Sequence, residues 1–366
     1  MRVLLVSKHL HFPQGGGGLE RNTHELCLRL VRAGVQPAVM CDLHPDRSLL
    51  AFKNRLARKL RPSIRFPVDH ACGYPVYRGW GEDDGAKEVT ARFKPDVVIA
   101  QSAEPVPLLR SFEGLGVPRM AYFHEVERVE EAREVARMGD VGFLANSVFT
   151  AAQIMQAADV APPPVIRPLI DPELYRTRRS PSNVLYVNTH PKKGVEVAFA
   201  IAQARPDVHF DFVCYWTESA ENRRRLQERA QAAGNITLHP PTNDMRPLYS
   251  RARLLLAPSQ WREAWGRVAT EAQVNGIPVL ASARGGLPES VGPGGLLVEH
   301  DAPLGAWLAA FSEIWDDPVR YERYSTEAKR HSLRPEIQPD QVVREFIAEV
   351  RAFSNRGAQS TRGAPE

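Results

Sequence analysis

Short, uninterrupted apolar runs recur along this chain, each followed by a segment with helical spacing, and that alternation constrains the fold more than any other feature. Val3 to Ser7 is such a run, as expected of a strand buried on both faces of a parallel sheet. After a glycine-rich turn, Leu19, Thr23, Leu26, Cys27 and Leu30 recur at helical spacing, and Gly34 stands where a helix would end. Further strands are predicted at 38–41, 96–100, 119–123 and 142–145. Alternating strands and helices imply right-handed βαβ units and a doubly wound sheet. The pattern breaks at Pro162-Pro163-Pro164 and stays proline-rich to Pro172, then starts again with strands at 183–188, 208–214, 253–257 and 278–281. Two such halves on either side of a hinge leave a cleft at the carboxyl ends of both sheets, where open α/β sheets bind ligands.

The expected boundaries are 1–165 for the first domain and 166–335 for the second. A helix over 336–353 is expected to pack back on the first domain, with a disordered tail over 354–366. A length of 366 residues suits two domains, and the formal charge of +4 is too small to suggest a nucleic-acid partner. Cys27, Cys41, Cys72 and Cys214 show no C-x-x-C spacing and no neighbouring histidine cluster, so reduced thiols are expected rather than disulfides or zinc. The first residues read as a strand rather than a signal peptide. No stretch approaches the ~20 apolar residues of a spanning helix. The expected location is the cytoplasm.

The segment Pro258-Ser259-Gln260-Trp261-Arg262-Glu263-Ala264-Trp265-Gly266-Arg267-Val268-Ala269-Thr270-Glu271 carries the most chemistry. It lies between two predicted strands, so residues from about 264 are expected at a helix N-terminus, where free amides and the helix dipole favour a phosphate. Glu263 would repel that phosphate, which makes a hydroxyl-rich ligand its sensible partner. Two glutamates so spaced, followed by Gly276-Ile277-Pro278-Val279 and Gly285-Gly286-Leu287-Pro288-Glu289, resemble the retaining GT-B glycosyltransferases of family four. The resemblance is strongest over 248–298. It implies an α/β fold of GT-B type, two Rossmann-like doubly wound domains facing a central cleft. It also implies that Glu263 and the Trp265 and Gly266 amides hold the donor sugar, and that Glu271 receives the ribose hydroxyls of the nucleotide.

Other segments fit less fully. Gly15-Gly16-Gly17-Gly18 fails as a dinucleotide fingerprint, because Glu20 stands where a third glycine belongs. The resemblance places Gly16 and Gly17 near the donor phosphate. His124, at the end of a predicted strand, matches a family histidine beside the donor sugar, and Glu125 is left unassigned. In Asn188-Thr189-His190-Pro191-Lys192-Lys193-Gly194 the family's Gly-Arg is replaced by Asn188 and Thr189. Lys193 remains as a diphosphate clamp or, on the plainer reading, a solvated lysine, and Lys192 or Arg262 are candidates to replace the missing arginine.

Over 47–65, Leu49, Phe52, Leu56 and Leu60 form a stripe among Lys53, Arg55, Arg58, Lys59 and Arg61. Packing of that stripe on the core is the favoured expectation, and peripheral contact with the inner membrane face is the other.

The expected activity is transfer of a sugar from a nucleotide-diphosphate sugar to an unidentified hydroxyl (of a glycan, lipid or small molecule), with retention. No cofactor and no metal is expected. The alternatives are a catalytically silent sugar-nucleotide-binding partner, or an epimerase or phosphorylase on the same scaffold. A donor-hydrolysis assay with and without acceptors separates them.

Overall fold

The structure, a computed structural model, describes residues 1–44, 48–79, 83–101, 104–214 and 219–362. The chain forms two units, Met1–Leu169 with Gln338–Glu366, and Ile170–Ile337. The first contains a seven-stranded sheet built from β1 (Arg2–Leu10), β2 (Gln36–Asp42), β3 (Val68–Asp69), β4 (Val76–Gly79), β5 (Val97–Ala100), β6 (Arg119–Phe123) and β7 (Val141–Ala145). Its order is β3-β4-β2-β1-β5-β6-β7, parallel throughout except for β3 against β4.

Alternation along β1 explains the core. Val3 and Leu5 point into a cluster with Leu26 and Leu30 of the helix Gly18–Arg32, while Leu4 and Val6 enter a second cluster on the opposite face. The first cluster also takes in Val342, Phe346 and Val350 of the last helix, Pro339–Arg362, all of them buried. Each such side chain contributes roughly 1.5–3 kcal/mol on burial, which is enough to fix the chain's return.

The second unit contains a six-stranded parallel sheet of β8 (Asn183–Val187), β9 (Phe210–Val213), β10 (Ile236–His239), β11 (Ala252–Ala257), β12 (Val279–Ser282) and β13 (Gly295–Val298). The order is β10-β9-β8-β11-β12-β13. Alternate residues again serve two cores: Val184 and Tyr186 face one, Leu185 the other.

Three expectations need correcting. The last helix runs on to Arg362, through residues assigned to a disordered tail, with Phe353 still packed on the core beside Gly142. Four short strands escape the periodicity: β3 and β4 in the first sheet, and β10 and β13, which form the edges of the second. The basic helix Leu49–Leu60 starts at Ser48, which caps it by accepting from Ala51 N at 3.2 Å. It does not bury its apolar stripe. Ala51 and Asn54 face the domain, Asn54 Nδ2 donating to Arg78 O at 3.1 Å, while Leu49, Phe52, Leu56 and Leu60 are exposed. Arg47 lies outside the described residues. Among the described residues no helix is long and apolar enough to cross a membrane.

Candidate functional site

In the second unit three loops pack backbone to backbone. Gly194 ends the turn Pro191–Lys193 with φ 79°, and a Cβ there would lie 1.9 Å from Pro258 O. Lys192 O accepts from the amides of Gln260 and Trp261, both at 2.9 Å. A Cβ on Gly285 would meet Glu263 O at 2.3 Å, and Gly286 N donates to that same oxygen at 2.6 Å. Only glycines permit this approach, which locks Lys193 and Glu263 together: Lys193 Nζ lies 2.5 Å from Glu263 Oε1, and Ser259 Oγ donates to that oxygen at 2.9 Å. Lys192 Nζ instead sits over the Trp261 ring, 3.9 Å from its centre.

Asn188 takes φ 78°, a left-handed conformation that asparagine tolerates better than most residues. Its Oδ1 accepts from His190 N at 3.1 Å, so the replaced Gly-Arg pair is absorbed as a tight turn with Thr189 buried.

Gly266 opens the helix Arg267–Gln273 with φ 89° and no side-chain cap, and Ala269 N donates back to Gly266 O at 3.0 Å. The helix begins slightly later than the sequence suggested. A Cβ at Gly266 would approach Leu287 Cδ2 to 2.6 Å. Trp265 is buried, its Nε1 donating to Thr270 Oγ1 at 3.1 Å. Glu271 is also buried. Its Oε2 accepts from Tyr249 Oη at 2.9 Å and its Oε1 faces Arg267 Nε at 3.3 Å, while Arg267 Nη2 donates to Tyr175 Oη at 3.0 Å. Each carboxylate oxygen retains a second lone pair for a ligand hydroxyl.

Arg267, Tyr249 and Ser259 were missed by sequence reasoning. Arg267 and Glu271 stand four apart on one helix, a readable spacing. Tyr249 and Ser259 left no such mark.

Gly16, Gly17 and His124 belong to the first unit. Gly17 caps the helix Gly18–Arg32 in extended backbone, φ −72° and ψ −179°, without a side-chain cap; Gly16 is exposed in the preceding turn. His124 follows β6 and is half-buried, its ring centre 3.9 Å from that of Tyr122. Gln101 Nε2 lies 3.3 Å from His124 Nε2, and Thr23 Oγ1 donates to Gln101 Oε1 at 2.9 Å. With Thr23 donating to Oε1, the amide nitrogen of Gln101 turns to His124, whose Nε2 then accepts. The glycine-opened helix is thereby tied to the histidine through Gln101, a link the sequence did not suggest. Glu125 beside it has its carboxyl pushed up by burial, with His9 opposing.

Residues 16–174 match the family described as Glycosyltransferase Family 4, and residues 179–331 match Glycosyl transferases group 1. The chain is a family-four-like glycosyltransferase. Among its relatives is a D-inositol 3-phosphate glycosyltransferase from Pseudarthrobacter chlorophenolicus, 26% identical over 87% of this chain and 88% of that protein. One from Streptomyces griseus is 37% identical over 31% of this chain, a match that spans only 24% of the relative's length. This glycosyltransferase has the GT-B fold of two Rossmann-like domains, as solved neighbours show. Sucrose-phosphate synthase from Thermosynechococcus elongatus has a TM-score of 0.78 at 17% identity, covering 96% of this chain and 98% of that one. Anabaena HepE in complex with UDP and glucose has a TM-score of 0.75 at 18% identity, covering 96% and 100%.

Proposed function

We propose that this glycosyltransferase moves a sugar from a nucleotide-diphosphate sugar to an acceptor hydroxyl with retention of anomeric configuration. The observation that carries the reading is the Lys193–Glu263 pair, 2.5 Å apart, in the same loop cluster as the uncapped helix start at Gly266. A cation, a hydroxyl-binding carboxylate and the amides of a helix start are the set a sugar diphosphate needs. Lys193 and the first-turn amides would take the diphosphate and stabilise the charge that develops as it leaves. Glu263 and the Trp265 amide would hold sugar hydroxyls, and Glu271, oriented by Tyr249 and Arg267, the ribose. His124 would contact the donor sugar, with Gly16 and Gly17 near its phosphates. HepE, whose fold is similar, was solved with UDP and glucose, which supports a nucleotide-sugar donor here.

Retention follows from front-face attack. The departing phosphate oxygen takes the acceptor's proton, so no opposed base is required. No metal takes part in this scheme, and activity should persist in excess chelator. The relatives' names make an inositol phosphate the first acceptor to try. Proton NMR of the product's anomeric signal tests the mechanism: an α linkage from an α donor is expected, and a β linkage would overturn front-face attack.

The exposed stripe Leu49, Phe52, Leu56 and Leu60, flanked by Lys53, Arg55, Lys59 and Arg61, suits an anionic bilayer, and we assign the helix to peripheral contact with the cytoplasmic leaflet. Co-sedimentation with phosphatidylglycerol vesicles tests it. Phe52→Ser with Leu56→Ser should release the protein, and unchanged sedimentation would sink the assignment.

A further inference from the structure

In the first unit, three side chains far apart in sequence meet: His11 just after β1, His24 in the helix Gly18–Arg32, and Cys72 between β3 and β4. One donor atom from each lies within 4.8 Å of the others. Sequence spacing gave no hint of this, because the histidines reach Cys72 only through the fold.

The Tyr74 hydroxyl lies 2.8 Å from His11 Nε2 and 2.7 Å from His24 Nδ1, and Cys72 Sγ donates to Phe12 O at 3.2 Å. His11, Cys72 and Tyr74 are buried, and His24 is half-buried. We propose that His11, His24 and Cys72 bind a divalent ion of the zinc class, with the Tyr74 oxygen as fourth donor.

Two imidazoles and a thiolate match the ligands zinc prefers in four-coordinate sites. Both rings turn a nitrogen toward the Tyr74 hydroxyl, the point at which the three elements converge. Ligand atoms sharing one zinc stand roughly 3.5 Å apart, so His11, His24 and Cys72 must draw in by about an ångström at their widest, while the Tyr74 oxygen, now 2.7 and 2.8 Å from the two rings, must back away. The half-buried His24 has room to draw in. On binding, the Cys72 thiol gives up the proton it shares with Phe12 O, and that proton goes to solvent. The nearby Arg78 guanidinium opposes a cation, but it is paired with Asp69 at 2.7 Å, and the new thiolate adds a second negative charge.

His11 and His24 stand on either side of Gly15–Gly18, so a bound ion would brace both ends of that loop. The ion would be a brace outside the transfer chemistry, and its presence does not depend on which donor the enzyme uses.

The test uses tag-free, full-length protein, stripped with chelator and titrated with Co²⁺ as a spectroscopic stand-in for zinc. Expected are a near-ultraviolet thiolate-to-cobalt band and visible tetrahedral bands that saturate at about one equivalent and vanish on adding Zn²⁺. Cys72→Ser should remove the near-ultraviolet band. His24→Ala should weaken binding at least tenfold, and because its ring is half-buried it decides the matter even if Cys72→Ser does not fold. Zinc should raise the thermal midpoint of the wild type and leave that of His24→Ala unmoved. A folded wild type with no thiolate band, or a band that survives both substitutions, would overturn the site and leave Tyr74 as a plain hydrogen-bonded link between two histidines.

Discussion

The glycines of the second unit's loop cluster and Gly17 of the first unit serve different ends. In the second, Gly194, Gly266 and Gly285 all take positive φ, and each has a neighbouring atom closer than 3 Å to where a Cβ would go. In the first, Gly17 has ordinary extended backbone, and the nearest obstacle is the free end of the Glu20 side chain at 2.5 Å. The second unit's set holds a rigid polar cluster together, and Gly17 opens a helix that tolerates adjustment, whereas a Cβ on nearby Gly15 would meet Leu10 O at 2.5 Å. The proposed donor recognition is therefore concentrated where sequence spacing is strict, while the first unit's proposed part hangs on single side chains such as His124.

Paired alanine substitutions put most strain on that contrast. Gly194→Ala forces a left-handed alanine, which costs roughly 1–2 kcal/mol, and drives its Cβ into the Pro258 carbonyl. The turn carrying Lys193 must then shift away from Glu263. Affinity for a nucleoside diphosphate should fall more than tenfold and the thermal midpoint by roughly 4 °C or more. Gly17→Ala requires only that Glu20 rotate, and both quantities should barely change. Equal losses in calorimetric titration and thermal melts would erase the distinction.

Lys193→Ala comes next in size. It removes the cation while leaving Glu263 without its 2.5 Å partner, so a diphosphate should bind much more weakly and a bare nucleoside almost as before. The gap should narrow at high salt, since screening weakens what the lysine supplied. If nucleoside and diphosphate lose equally, the lysine is not a clamp.

Glu271 sharpens the same comparison. Glu271→Ala strands Arg267 in a nearly buried place, at a cost of about 3 kcal/mol or more in stability. Glu271→Gln keeps the shape and an acceptor, and should cost nucleotide affinity about 1.5–3 kcal/mol with a smaller loss of stability. If calorimetry shows unchanged affinity for the glutamine variant, Glu271 has no part in ribose recognition.

How far the sequence disclosed all this depends on whether the information is local. The apolar runs at β1, β6, β8 and β11 stand out because strands buried on both faces need continuous hydrophobicity. The four-residue β10 and β13 are edge strands with half-exposed residues, too short to show a period. The helix Leu49–Leu60 shows the limit most plainly. Periodicity located its stripe, but which face turns inward is decided by the Asn54 contact with the Arg78 carbonyl, a residue on a distant strand. The Lys193–Glu263 pair was legible only as two separate motifs, and the Tyr249 contact to Glu271 was not legible at all.

The smallest expected effect belongs to Glu125, in the first unit. Burial raises its carboxyl pKa, so folding favours the protonated form. Stability from this group is fully present below the unfolded pKa of about 4.3 and is lost as pH rises through the higher folded value. Glu125→Gln mimics the protonated form at every pH. Its advantage over wild type should therefore be absent near pH 4, grow as pH rises from the unfolded pKa through the folded one, and level off above it. Urea melts at closely spaced pH values measure this. Because the group is only partly buried and His9 opposes the shift, the gain should be slight. A variant that loses stability at neutral pH would mean that the Glu125 carboxylate is held ionised by partners rather than destabilised by burial. It would then stand beside His124 as a charged group of the first unit, and polar recognition would no longer be concentrated in the second.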